Sequence, residues 1–115
     1  MATSDRLELL QGTLDLLILR VLRWGPHHGH GIATMIAQTS DGQLKIEGGS
    51  LYPALQRLLH EQWIEASWGT SVNKRRARYY RLTAAGRRRL KQQETNWERL
   101  IRAMQLVGRE PASER

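Results

Sequence analysis

The sequence predicts a mainly α-helical domain that carries one small β-hairpin and closes on a long helix. Three observations lead there. Apolar residues recur at helical spacing in four separate stretches. Between the third and fourth, two short alternating runs flank a polar, basic loop from Gly69 to Ala77. The chain has 115 residues, 40% of them hydrophobic, which suits one modest core and is too little for two.

Met1 to Asp5 has no apolar pattern and is expected to fray. From about Leu7 to Trp24, Leu10, Leu14, Leu17, Ile18, Val21 and Leu22 form a broad helical stripe, with Leu9, Leu16 and Leu19 on flanking faces. A helix apolar around so much of its girth is either central to the core or covered by a second subunit. Gln11, Asp15 and Arg20 interrupt the run, so it is too short and too charged to span a bilayer, and no small-residue cleavage motif follows it. Gly25-Pro26 ends the helix. His27-His28-Gly29-His30-Gly31 reads as a turn into a second helix, about Gly31 to Thr39, with Ile32, Met35 and Ile36 inward. Histidines this close raise the question of metal. The chain has no Cys and no Glu set between two His on a helix, and two glycines make this loop a poor cage. Exposed turn histidines are expected, with no metal and no cofactor.

Ser40-Asp41-Gly42 is turn chemistry, and Gln43 to Glu47 alternates like an extended connection. Gly48 and Gly49 let the chain turn sharply, and a third helix then opens at Ser50 and runs to about Gln62. Ser50 is placed to cap it, and Pro53 to occupy its first turn, where no N–H is needed. Leu51, Leu55, Leu58 and Leu59 fall on one side, which leaves Ser50, Tyr52, Gln56 and Arg57 pointing elsewhere. Gln pairs with adenine and Arg with guanine in a DNA major groove, while hydroxyls reach phosphates.

Trp63 to Trp68 and Arg78 to Leu82 read as the two strands of the hairpin, anchored by Trp63 and Trp68 as packing residues. Of Tyr79 and Tyr80, alternation sends one to the core and the other outward. Thr83 caps a last helix, Ala84 to about Val107. Its apolar positions Leu90, Trp97, Leu100, Ile101, Met104 and Val107 are close to heptad spacing, a stripe suited to a partner helix. Residues 108–115 are expected to form a mobile tail.

The net charge is +7, and its distribution matters more than its size. From Ala66 to Gln93 there is no acidic residue, while Lys74, Arg75, Arg76, Arg78, Arg81, Arg87, Arg88, Arg89 and Lys91 supply half of the 18 basic residues. Such a block implies an anionic partner, and arginine forks onto phosphate and guanine better than lysine. Catalysis is not expected: Cys, a Gly-rich phosphate loop and a nucleophile elbow are absent, and no acid stands beside the clustered histidines. Without disulfide chemistry or a membrane segment, a soluble cytoplasmic protein is the expectation.

In order, the elements make a helix-turn-helix followed by a wing. Residues 7–82 would form a winged-helix DNA-binding domain and 83–107 a dimerisation helix within the same compact unit. In such an arrangement the third helix lies in the major groove and the wing tip reaches an adjacent groove or the backbone. Candidate DNA contacts are Ser50, Tyr52, Pro53, Gln56 and Arg57 on the helix, with Lys74, Arg75, Arg76 and Arg78 on or beside the wing. Arg81 through Arg89 fit phosphate contact or a solvated helix face equally well.

From about Leu10 to Met104 the chain resembles the PadR family of transcriptional regulators. The resemblance is carried by Gln11-Gly12-Thr13-Leu14, Gly25-Pro26-His27-His28-Gly29-His30-Gly31-Ile32, Gly49-Ser50-Leu51-Tyr52-Pro53-Ala54-Leu55 and Arg78-Tyr79-Tyr80-Arg81-Leu82-Thr83-Ala84-Ala85-Gly86. It implies a winged-helix homodimer that represses transcription from a palindromic operator, of the short group with a single C-terminal helix. Dimerisation in that family uses the first and last helices, here through Leu10, Leu14, Trp97, Leu100, Ile101 and Met104. In some multidrug-responsive members a Trp on the last helix lines a ligand pocket. Trp97 stands at the matching place, so a small aromatic effector is implied there, with plain interface packing as the preferred role. The resemblance does not assign the hydroxycinnamate of other members. The rival reading is a basic winged-helix module for RNA or for protein contacts.

Overall fold

The computed structural model describes residues 11–112 as four helices and three short strands. The expected residues Met1 to Leu10, including the interface candidate Leu10, lie outside the described residues, as do 113–115 of the tail.

Helix α1 (Gln11–Leu22) is buried over more of its girth than its stripe suggests. Leu14, Leu16, Ile18, Leu19 and Leu22 all sit in the core, and Leu17 and Val21 are the partly exposed members. Of the two alternatives posed by its sequence, a central place in the chain's own core accounts for most of this surface. Leu14, expected at a subunit interface, is only 5% exposed and has little surface left for a partner. The turn that follows the helix reaches Gly25, whose φ of +141° suits a residue without a Cβ.

His27 and His28 are not a turn. They form a two-residue strand, β1 (His27–His28), paired antiparallel with Tyr80 and Tyr79. A strand this short leaves no periodicity to read. Helix α2 (Gly29–Thr39) begins two residues earlier than expected because His28 caps it: its Nδ1 accepts the Gly31 N–H at 2.9 Å. The His27 Nδ1 lies 2.9 Å from the Gly25 carbonyl oxygen, so the loop histidines serve local structure. The connection to α3 turns at Asp41 and Gly42, with φ of 55° and 76°. The following residues form no strand, although Leu44 and Ile46 still pack against the core.

Helix α3 (Gly48–His60) also starts early. Glu47 occupies the cap position without a side-chain bond, and its carbonyl accepts the N–H groups of Ser50 and Leu51 at 3.0 and 2.9 Å. Ser50 is therefore inside the first turn, and Pro53 lies inside the helix. Its missing N–H falls on the exposed face of the helix. Leu51, Ala54, Leu55 and Leu58 are buried against α1, α2 and the sheet. Truncating a buried Leu such as Leu55 to Ala typically costs about 2–5 kcal/mol.

Strands β2 (Ile64–Thr70) and β3 (Arg76–Leu82) form the hairpin, and the sheet order is β1-β3-β2. Both strands extend two residues further toward the tip than the alternation indicates. Backbone pairing runs on to Thr70↔Arg76 where no apolar side chain demands it. Ile64, Tyr80 and Leu82 face the core, and Tyr79 takes the other face, as alternation requires.

Helix α4 (Ala84–Leu106) is capped as expected: the Thr83 Oγ1 accepts the Gly86 N–H at 2.9 Å. The Thr83 N–H bonds the Trp63 carbonyl at 3.1 Å, and Gly86 passes so close to that carbonyl that a Cβ would collide with it. Leu90 and Trp97 pack on the body of the domain. From Glu98 to the last described residue every position is exposed, including Leu100, Ile101, Met104, Leu106 and Val107. Among the described residues no helix is long and apolar enough to cross a membrane.

Candidate nucleic-acid interface

With Leu51, Ala54, Leu55 and Leu58 inward, helical geometry turns Gly49, Pro53, Gln56 and His60 to the opposite side, and all four are exposed. His60 extends that face and was missed in the sequence; its spacing of four from Gln56 was the available signal. Ser50 and Tyr52 flank the face and are exposed too. Tyr52 leans over the start of α2, where a Cβ on Gly29 would meet its Oη at 2.8 Å. Only glycine lets that ring approach the backbone so closely.

Arg57 behaves differently. Its Nη2 lies 2.8 Å from the Asp15 Oδ1, so the guanidinium ties α3 to α1 instead of pointing at a base. Position alone put it on the polar side, but a long side chain bends toward an acid that the sequence separates from it by forty-two residues. In this structure Arg57 is engaged by Asp15 and is not aimed at the groove between α3 and the hairpin.

The wing is built by the sheet alternation. Ile64, Ala66, Trp68 and Thr70 share one face of the hairpin with Leu82, Tyr80, Arg78 and Arg76, their register partners. Near the domain body this face is core. Further out it emerges beyond the core and turns toward α3. The result is a groove of about 670 Å³ whose walls include His28, Tyr52, Trp68, Arg75, Arg76 and Arg78. The tip is closed by a compact turn: the Ser71 N–H bonds the Arg75 carbonyl at 2.7 Å, and the Lys74 N–H bonds the Ser71 carbonyl at 2.9 Å. Lys74 takes a φ of 61° there, and its side chain is exposed at the tip.

Among the described residues, Lys74, Arg75, Arg76 and Arg78 form no ion pair. Arg87, Arg88, Arg89, Lys91, Arg99 and Arg102 of α4 likewise form no ion pair among the described residues. Some cations elsewhere are engaged: Arg81 with Glu65 at 2.7 Å on the outer face of the hairpin, and Arg20 and Arg23 with Glu94. On the groove side aromatic rings take that place. The Arg76 guanidinium lies 4.5 Å from the Trp68 ring centre and that of Arg78 5.8 Å from Tyr80. Such contacts contribute about 0.5–1 kcal/mol at exposed sites. Trp68 is thus not the buried hairpin anchor its sequence suggested; Trp63 is, packed against the core and under Arg89. The remaining basic residues of α4, Arg87, Arg88, Lys91, Arg99 and Arg102, are exposed outside this groove.

Residues 18–92 match the Transcriptional regulator PadR-like family. The chain belongs to this family. A transcriptional regulator from Clostridium thermocellum has the same fold, with a TM-score of 0.79, 28% identity, and coverage of 86% of this chain and 96% of that one. A PadR family transcriptional regulator from Eggerthella lenta superimposes with a TM-score of 0.74 at 30% identity, covering 87% of this chain and 86% of that one. An uncharacterized protein of Lysinibacillus sphaericus is 29% identical over 80% of this chain and 84% of its own length. The PadR fold of this chain is accordingly a four-helix winged helix with a small three-stranded antiparallel sheet.

Trp97, the one residue considered for an effector, is half-buried. It lines a second groove of about 260 Å³ between α1 (Gly12, Thr13, Leu16) and α4 (Gln93, Asn96, Leu100).

Proposed function

We propose that this PadR-family chain is a transcriptional repressor that binds an inverted-repeat DNA operator as a homodimer. Helix α3 would enter the major groove while the β2–β3 wing grips the neighbouring backbone or groove. One observation carries the reading: Tyr52 and the wing arginines Arg75, Arg76 and Arg78, none held by a carboxylate among the described residues, open onto one groove beside the exposed face of Gln56, with Lys74 exposed at the tip. On this reading Gln56 makes the base contact and the hydroxyls of Ser50 and Tyr52 reach phosphates. Pro53 lies against the duplex, and Lys74, Arg75, Arg76 and Arg78 supply the salt-dependent part of the affinity.

The uncovered apolar stripe of Leu100, Ile101 and Met104, continuous with Trp97, supports pairing of two copies through α4. The chain to Leu82 would hold DNA and the helix after Thr83 would pair the copies. A twofold pair presents two recognition helices, which is why the operator should be an inverted repeat. The groove at Trp97 falls below the roughly 300–1,000 Å³ of ordinary ligand pockets. This supports interface packing as the first role of Trp97, with a small aromatic effector held only where the partner completes the walls. Such a regulator acts where the DNA is, in the cytoplasm.

The test is selection of bound sites from random duplex DNA, with structured RNA of equal length as competitor. The expected outcome is an enriched inverted repeat whose half-sites lie about 10 base pairs apart, centre to centre, or a multiple of that. An unenriched pool, or preference for the RNA, would overturn the proposal.

A further inference from the structure

Within the proposed DNA-binding reading, on which this inference rests, the two faces of the wing hold their arginines in different ways. On the outer face Arg81 is fixed by Glu65, and its charge is largely spent on that carboxylate. On the groove face Arg76 is fixed by the indole of Trp68. Stacking engages the flat face of a guanidinium and leaves its edge donors and its full charge free for a phosphate.

Nothing in the packing of the domain calls for an indole at this position. Trp68 is 61% exposed and belongs neither to the core cluster nor to the partly buried residues packed against it, which include Trp63 and Trp97. Its register partner is Arg78, and Arg76 is the next residue on the same face of β3. All three line the groove facing Tyr52 of α3. A free arginine loses rotamer freedom when it binds, and a side chain already held in place loses less.

We infer that Trp68 is a positioning residue, which holds the Arg76 guanidinium in the groove between wing and recognition helix, ready for a DNA phosphate, without neutralising it. Arg76 makes the contact; Trp68 acts through it.

Binding of the full chain to a mixed-sequence DNA duplex tests this without knowledge of the operator, since non-specific affinity comes from phosphate contacts. Affinity is measured across a salt series for the parent, Trp68→Leu, Trp68→Phe, Arg76→Ala and the Trp68→Leu/Arg76→Ala double variant. Leu keeps apolar bulk at the exposed site and removes the π face, whereas Phe keeps the face. Loss of one phosphate contact lowers the slope of log affinity against log salt by about 0.9 per wing. Arg76→Ala is expected to show that loss and Trp68→Leu to shift the slope in the same direction. Trp68→Phe should recover the parent slope, and the double variant should bind no more weakly than Arg76→Ala alone. Melting temperatures should fall by no more than about 8 °C, the effect of losing one exposed cation–π contact, and to a similar extent for Trp68→Leu and Arg76→Ala. The inference is overturned if Trp68→Leu keeps the parent slope, or if its effect adds in full to that of Arg76→Ala, as a purely structural role would require. If the parent itself does not bind duplex DNA, the DNA-binding reading fails and this inference with it. A parent that binds, with a reduced slope for Arg76→Ala alone, defeats only the inference.

Discussion

Arg57→Ala separates a structural arginine from a base-reading one. The Arg57–Asp15 pair joins α3 to α1 at 2.8 Å, with the two side chains 36% and 23% exposed. Fully exposed pairs contribute about 0.2–1 kcal/mol. Removing one partner of a fully buried pair costs about 3–5 kcal/mol, because the other charge is stranded. Partial exposure places this pair between the two, and solvent screening pulls it toward the lower range, so Arg57→Ala should cost about 1–2 kcal/mol. The Arg57 Nε is buried without a hydrogen-bond partner, and its removal offsets part of that loss. In a domain of this size each kcal/mol lowers the melting temperature by about 4–8 °C. Thermal unfolding at fixed protein concentration measures it, since subunit association also moves the midpoint. The Asp15→Ala/Arg57→Ala pair should cost less than the sum of the single variants by at least about 0.5 kcal/mol. Base preference in a site-selection experiment should not change. An Arg57→Ala protein that melts with the parent yet relaxes the preference at one operator position would refute the structural assignment.

Gln56→Ala should behave in the opposite way: parent stability, with about 1–3 kcal/mol of discrimination lost at one or two operator positions in competitive binding. Arg75→Ala/Arg76→Ala removes two unpaired wing cations, so the slope of log affinity against log salt should fall by about 1.8 per wing, and an unchanged slope would remove the wing from the contacts. Charged residues in place of Leu100 and Ile101 should yield monomers in sedimentation with weak operator binding, whereas persistent dimers would place the interface elsewhere. Thr83→Ala removes the cap of α4 and should cost about 1 kcal/mol in denaturant unfolding. Gly86→Ala should cost more, because its Cβ meets the backbone carbonyl of Trp63, which has no room to yield.

The long elements were legible because repeated spacing reports on burial. The stripe of α3, the alternation of Ile64 with Trp68, and the Thr83 cap each mark their element. What stayed hidden depends on contacts distant in sequence. The pairing of His27–His28 with β3 has no local signature, since two residues set no period. The commitment of Arg57 to Asp15 requires knowing which helices touch. Leu14 illustrates the limit of a stripe: its spacing says that it is buried but not whether its own chain or another covers it. The start of α3 was misplaced because two glycines looked like a turn, whereas they are the first two residues of the helix. At the candidate site, the exposed face of Gln56 and the tip cations follow from spacing and charge. The use of Trp68 as a platform follows only from the fold, because alternation puts it on the core face without saying that the core ends before it.

The measurement that bears most directly on the central claim is amide chemical-shift mapping of the full chain titrated with duplex DNA. Shifts should concentrate between Gly49 and Gln56 on α3 and between Ser71 and Arg78 on the wing, with Glu65, Ser67 and Arg81 on the outer hairpin face unmoved. Shifts confined to that outer face, or to Arg87–Lys91 on α4, would contradict a joint grip by recognition helix and wing.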